Sequence, residues 1–278
     1  MITRVAAFAK LNLSLAVRFR RQDGFHENES LVQTIDLADS IEIDVAPGDS
    51  IRVENSLRDI QGPDLALRAA SALLGAKPAR RRLSIRVAKA IPAGAGLGGG
   101  SSDAAAVLAA LDRLIPPPLA LGRLHEIAAQ IGSDVPLFLL GGRVHVGGRG
   151  ERVARVAGAP SEHYVVVVPP VHCPTAEIYA AWTAPAEPTS TGLALGRNDL
   201  LAAALSVRPA LQRYHDAVTR SDASYAGMSG SGSSFYAAFD DAASALRCAE
   251  SLRRALPDCA VYACRPTGVG SMGSDVEG

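Results

Sequence analysis

Cysteine is scarce in this chain, and what there is lacks pattern. Cys173, Cys248, Cys259 and Cys264 form no CxxC pair and have no histidines at zinc-ligand spacing. A disulfide framework or a structural metal is therefore not expected, and a reduced, cytoplasmic setting is. No apolar run reaches the ~20 residues a membrane-spanning helix needs. The apolar stretch at 5–15 is interrupted by Lys10 and Asn12 and lacks a small-residue cleavage site after it, which argues against a secretory leader. Net charge is missing as well: 28 Lys plus Arg stand against 28 Asp plus Glu. No overall field draws the protein to nucleic acid or to an anionic membrane, so any anion site must be local. Internal repeats are also absent.

What is present fits an ordered globular protein, with 48% hydrophobic and 20% charged residues. At 278 residues the chain exceeds the usual single-domain size, and two domains are expected. Leu11, Leu13, Leu15, Val17 and Phe19 alternate with Lys10, Asn12, Ser14 and Arg18, the period of a half-buried strand. That alternation sets Lys10 and Asn12 side by side on the polar face. Further strands read at 31–35, 41–45 and 83–87, with helices at about 65–74, 103–114 and 121–131. Ser101 and Ser102 are the expected caps of the second helix. Glycines at 141, 142, 147, 148 and 150, then Gly158 and Pro160, predict a turn-rich stretch and a domain boundary near 155. Beyond it strands read at 164–168, 224–226, 234–239 and 260–264, and helices at about 198–206, 209–219 and 242–256. The fold class is α+β: residues 1–155 form one domain, and residues 156–278 a ferredoxin-like βαββαβ domain with an extra helix and a flexible tail after about 268.

One segment carries a chemical signature. Pro92-Ala93-Gly94-Ala95-Gly96-Leu97-Gly98-Gly99-Gly100-Ser101-Ser102-Asp103 follows a strand and opens a helix. Flexible backbone, exposed N–H groups and a positive helix terminus coincide there, the conditions for binding a polyanion. Gly94-x-Gly96-x-x-Gly99 formally matches a dinucleotide fingerprint, yet Pro116-Pro117-Pro118 stands where a second strand and an acidic residue should follow. A Walker A loop needs Lys and Ser/Thr after its last glycine, whereas Gly100 is followed by Ser101-Ser102. A linker remains the bland alternative, and linkers rarely run straight into a strong helix.

The remaining pattern resembles the ATP-binding motif of the GHMP kinase superfamily. Ala9-Lys10-Leu11-Asn12-Leu13 resembles the family's N-terminal motif, and Met228-Ser229-Gly230-Ser231-Gly232-Ser233 its C-terminal glycine-rich motif. The resemblance implies a two-domain fold with an N-terminal ribosomal-protein-S5-like α/β domain. It also implies an ATP-dependent small-molecule kinase, with ATP bound by residues 92–102 and Lys89 adding charge near the nucleotide. Lys10 and Asp134 are the implied catalytic pair, with Asp134 orienting the acceptor hydroxyl and taking its proton. On the residues alone, Asp134 has the bland reading of a cap on a helix at Val135-Pro136, a role that can coexist with catalysis, and Lys10 that of a solvated strand lysine.

Finer details resemble the branch that phosphorylates 4-diphosphocytidyl-2-C-methyl-D-erythritol. They are Asp23-Gly24-Phe25-His26, Gly132-Ser133-Asp134-Val135-Pro136, Pro174-Thr175-Ala176-Glu177-Ile178-Tyr179 and Asn198-Asp199-Leu200. This resemblance implies a cytidine diphosphate methylerythritol substrate held by Asn12, Phe25, His26, Thr175, Tyr179, Gly230, Ser231 and Gly232. Phe25 departs from the branch's usual tyrosine, keeping a stacking face without the hydroxyl. His26 and the pair Thr175 and Tyr179 also have structural readings, as does a tight turn at 230–232. Magnesium is assumed from the chemistry, held by Ser102 or by the phosphates themselves. Kinases of homoserine or mevalonate are the nearest alternatives, and a nucleotide-sensing module without catalysis is another.

Overall fold

The alternation at residues 11–19 belongs to a longer strand, β1 (Ile2–Arg20), in a computed structural model that describes residues 2–56, 64–77, 79–158, 161–184, 193–268 and 270–271. Its inward side chains feed three apolar clusters in succession. Val5 and Ala7 enter the first, Ala9, Leu11 and Leu13 the second, and Leu15 and Val17 the third. Phe19 departs from the expected buried face and is 58% exposed, because the pairing register shifts between Val17 and Phe19 and turns the strand end outward. The residues expected as two strands at 31–35 and 41–45 are a single strand, β2 (His26–Pro47), antiparallel to β1. Further register shifts at Phe8/Ala9 and Asn12/Ser14 let one long pair serve more than one core.

Around β2 lie β3 (Ser50–Asn55), β4 (Arg81–Ala88), β5 (Arg143–Gly148) and β6 (Arg152–Arg155), in the order β3-β4-β2-β5-β6. The glycine-rich stretch expected as turns thus contains β5 and β6; Val144 and Val146 alternate into the first core and outweigh the flanking glycines. Pro160, part of the same expected stretch, lies outside the described residues. Helices α1 (Leu65–Ala76), α2 (Gly99–Leu114), α3 (Leu121–Ile131) and α4 (Val135–Leu140) pack onto this sheet through the first core. α2 is buried on every face from Ser102 to Asp112, and its alanines let neighbours approach closely. It starts earlier than the sequence suggests: Gly98, at φ 73, occupies the N-cap, and Ser101 and Ser102 lie inside the first turn.

A second, antiparallel sheet holds β7 (His163–Val168), β8 (Tyr225–Met228), β9 (Phe235–Phe239) and β10 (Ala260–Cys264) in the order β10-β7-β9-β8. This is the ferredoxin-like arrangement. The helices are α5 (Thr175–Ala181), α6 (Leu201–Val207), α7 (Gln212–Thr219) after a 3₁₀ turn at Pro209–Leu211, and α8 (Ala242–Ala255). The first described residues of the expected tail lie against the protein. Thr267 and Ser271 donate backbone N–H groups to Thr34 and Phe138 at 2.8 Å, and Gly270 and Ser271 are buried. Residues 272–278 lie outside the described residues. No described helix is long and apolar enough to cross a membrane.

The C-terminus of α2 is anchored by Lys77, 5% exposed. Its ammonium pairs with Asp112 Oδ1 at 2.7 Å and donates to the carbonyls of Asp112 (2.8 Å), Pro117 (3.0 Å) and Ile115. It thereby satisfies carbonyls that the helix end leaves without partners, at the end where the dipole favours a cation. Lys77→Met would strand the Asp112 carboxylate in the interior and should destabilise the fold by about 3–5 kcal/mol. Urea denaturation measures this, and a loss below about 1 kcal/mol would contradict the anchoring role.

Candidate active site

Lys10 and Asn12 lie on the face of β1 opposite Leu11 and Leu13, and that polar face is buried: Lys10 is 4% exposed and Asn12 9%. The Lys10 ammonium donates to Asn12 Oδ1 at 2.5 Å and to the Gly96 carbonyl at 2.7 Å, and stands 4.0 Å from Asp134 Oδ2. Burial lowers its proton affinity and the Asp134 carboxylate opposes that shift. Asn12 is itself fixed, its Nδ2 donating to Ser30 Oγ at 2.8 Å and its backbone N–H to Ser229 Oγ at 3.2 Å. Asp134 occupies the N-cap position of α4 without making a side-chain cap bond, so its half-exposed carboxylate faces the cleft uncommitted to the helix. The loop bearing it rests on the β5–β6 turn, where a Cβ on Gly150 would sit 2.2 Å from the Ser133 carbonyl.

Residues 92–102 arch from β4 to α2. Ala95 and Leu97 anchor in the second core, while Gly94, Gly96 and Gly98 between and beside them take φ of 66, 77 and 73. Such angles are costly for residues with a Cβ. Among the described residues, no backbone N–H from Gly96 to Ser101 donates to a protein acceptor. These donors and the N-terminus of α2 make an anion cradle. The second glycine loop lies directly against the first. Ser234 N–H donates to the Ala95 carbonyl at 3.1 Å and Ser229 Oγ to the Gly96 carbonyl at 2.9 Å. A Cβ on Gly230 would meet Lys10 Nζ at 3.3 Å, so residues 230–232 line the same cleft. Asn198 braces this loop, its Nδ2 donating to the carbonyls of Met228 and Gly230 at 2.8 Å each.

The rim of the cleft is aromatic. His26 lies 4.9 Å from the Tyr179 ring at 32° and 5.6 Å from Trp182 edge-on. Burial, with help from Arg20, lowers the His26 pKa, so near neutral pH its ring offers one donor and one acceptor. Burial pushes the Tyr179 hydroxyl up to about 12, with the Asp134 carboxylate adding to the shift and a hydrogen bond to Asn28 opposing it. Phe25 is 49% exposed, with the Arg149 guanidinium 5.1 Å over its ring. Thr175, one turn before Tyr179 on α5, contacts Ser231 Oγ through its hydroxyl at 3.0 Å.

Two residues stand differently from expectation. Lys89 is turned onto the carboxylates of Asp39 and Asp103, at 2.5 and 2.6 Å. Ser102 is 1% exposed and its hydroxyl donates to the Phe8 carbonyl at 2.7 Å, so it is committed to β1 rather than offered to a metal. Among the described residues, no cluster of three or more His, Cys, Asp or Glu could hold a metal ion. Sequence reasoning missed Trp182, Ser30 and Arg149. For Trp182 a signal existed, because it is the sole tryptophan and follows Tyr179 at helical spacing; Ser30 and Arg149 reach the site through strand pairing and a turn that have no local mark.

Comparison with known proteins defines the class. The model for the GHMP kinases N terminal domain matches residues 64–142, and that for the GHMP kinases C terminal domain matches 189–258. A protein of Solibacter usitatus named 4-diphosphocytidyl-2-C-methyl-D-erythritol kinase is 40% identical over 267 residues, 88% of this chain and 84% of that one. A crystal structure of 4-(cytidine 5'-diphospho)-2C-methyl-D-erythritol kinase superposes with a TM-score of 0.76 at 37% identity, covering 95% of this chain and 99% of that one. Homoserine kinase from Cytophaga hutchinsonii superposes with a TM-score of 0.75 at 16% identity, covering 99% and 97%, which is a likeness of fold alone. The chain belongs to the 4-diphosphocytidyl-2-C-methyl-D-erythritol kinase family of ATP-dependent GHMP kinases.

Gly96 joins the two glycine loops: a Cβ there would lie 2.2 Å from the Ser229 carbonyl and 2.9 Å from that of Gly232. Gly96→Ala should force the loops apart and weaken ADP binding by about tenfold or more, given the tightness of this backbone contact. Titration calorimetry with ADP checks it; an unaltered affinity would show that the loop contact does not shape the nucleotide site.

Proposed function

We propose that the protein transfers the γ-phosphoryl group of ATP to the 2-hydroxyl of 4-diphosphocytidyl-2-C-methyl-D-erythritol, a step of non-mevalonate isoprenoid precursor synthesis. The carrying observation is the convergence of Lys10, Asn12 and Asp134 beside the anion cradle, with an aromatic base-binding corner on the same rim. Nucleotide phosphates lie on the N–H groups of residues 96–101 and on the α2 terminus. The acceptor hydroxyl sits between Lys10 and Asp134. As the oxygen–phosphorus bond forms and the bond to ADP breaks, the hydroxyl proton passes to Asp134. Lys10 offsets the charge gathering on the transferred group.

Phosphoryl transfer proceeds through a loose transition state that demands positioning more than early deprotonation, so a weakly basic carboxylate suffices. Magnesium, if bound, would neutralise phosphate charge, with phosphate oxygens and water serving among its ligands. The cytosine is gripped by the faces of Phe25 and Tyr179 and by the neutral His26 edge, with Trp182 backing the histidine. Thr175, Ser231 and Gly230 flank the diphosphate and the sugar alcohol. We take the chain as two domains divided near residue 155, working in the cytoplasm, where its four free cysteines would stay reduced.

Coupled ADP-release assays with the cytidine diphosphate substrate, homoserine and mevalonate test the assignment. Turnover should occur with the first alone, and turnover confined to homoserine or mevalonate would overturn it. Asp134→Asn should lower kcat by about 10²–10⁴-fold, the usual worth of a positioned general base, while ADP still binds. Undiminished turnover would remove Asp134 from the mechanism.

A further inference from the structure

Beneath the phosphate loop lies a charge cluster that the transfer mechanism does not use. Lys89, Asp39 and Asp103 have side chains 8%, 0% and 5% exposed, and the Lys89 ammonium lies between the two carboxylates. The other oxygen of Asp39 accepts the backbone N–H groups of Ala90 and Ile91 at 2.6 and 2.8 Å, where the chain enters the loop. Asp103 belongs to the first turns of α2, where the chain leaves the loop. A Cβ on Gly99 would stand 3.2 Å from Lys89 Nζ, so the ammonium lies under the cradle floor. Two carboxylates around one ammonium leave a surplus of one negative charge. Asp103 Oδ1 is buried without a hydrogen-bond partner.

We propose that Asp39, Lys89 and Asp103 form a positioning triad that clamps both ends of the phosphate loop, and that the proton on Asp103 sets the affinity for the nucleotide. The proposal rests on the loop being the ATP site. Burial raises the Asp103 carboxyl to about 7, with Lys89 opposing and Asp39 adding to the shift. Burial alone would lower Lys89, yet the two carboxylates raise it, so the ammonium stays charged across the same range. Lys89, just after β4, and Asp39, from β2, are the charged groups that act on Asp103. Nearby, α1 presents Leu65 to Gly100, and β1 presents the Phe8 carbonyl taken by Ser102. Lys10 is engaged with Asn12 and Gly96. A polyphosphate above the loop disfavours a second negative charge below it. Nucleotide binding therefore raises the affinity of Asp103 for its proton, and by linkage binding weakens as pH rises through the value for the free enzyme.

The test is calorimetric titration of ADP, without acceptor, between about pH 6 and pH 8 for the wild type and for Asp103→Asn. The titration of ADP's own phosphate enters both profiles alike and cancels in their ratio. The wild type should lose affinity relative to the variant by on the order of fivefold across this range, as one added charge near a polyanion requires. In steady-state kinetics the difference should fall on KM for ATP rather than on kcat. Parallel pH profiles, or a loss confined to kcat, would overturn the proposal. If Asp103→Asn fails to fold by circular dichroism, Asp103→Ser carries the same comparison. Absence of ADP binding by the wild type would instead overturn the assignment of the loop, and the triad's role with it.

Discussion

The site depends on a single ammonium group. Lys10 Nζ joins Asn12, the Gly96 carbonyl of the phosphate loop and, at 4.0 Å, the Asp134 carboxylate. Each partner comes from a different stretch of chain, so the lysine is where β1, the first glycine loop and the start of α4 are brought into register. Its burial carries a desolvation cost, which its hydrogen bonds and the neighbouring carboxylate offset. A lysine held this way cannot wander as a surface lysine would. It presents a fixed positive charge beside N–H groups that bind phosphate, and beside a carboxylate free to accept a proton.

The rest of the architecture supports this contact. β1 spans three cores and so fixes Lys10 against both sheets at once. The second glycine loop closes on the first through backbone contacts too tight for a Cβ, and Asn198 holds it there. At the two ends of α2, buried lysines do opposite work. Lys77 satisfies carbonyls at the end where a cation is favoured, whereas Lys89 sits near the positive end and needs two carboxylates beside it.

Local chemistry decided what could be read from the sequence. The alternation from Leu11 to Val17 is written in side-chain periodicity, the helix after the loop in its alanine- and leucine-rich composition, and the ferredoxin-like second sheet in the order of elements along the chain. Periodicity also gives the pairing of Lys10 with Asn12, since residues two apart on a strand share a face. The glycine loop was legible because its residue types answer a backbone requirement, which the positive φ angles of Gly94, Gly96 and Gly98 bear out. Other features depend on distant partners. Ser30 reaches Asn12 only through the β1–β2 register, and the turn at Arg149 through the β5–β6 hairpin. Lys89 reads as a lysine near a phosphate loop, and nothing local reveals that Asp39 and Asp103 converge on it. The Gly/Ser-rich terminus reads as loose because its composition carries no sign of the backbone bonds that tie Thr267 to Thr34 of β2 and Ser271 to Phe138 of α4.

The central claim is that Lys10 and Asp134 act on one hydroxyl as a unit. A double-mutant cycle on kcat, using Lys10→Met, Asp134→Asn and the combined variant with saturating ATP and the cytidine diphosphate substrate, addresses it most directly. If the pair is one device, the double variant should be about as slow as the slower single variant, because the second substitution removes an interaction already lost. Losses that multiply would show two groups acting separately and would contradict the account.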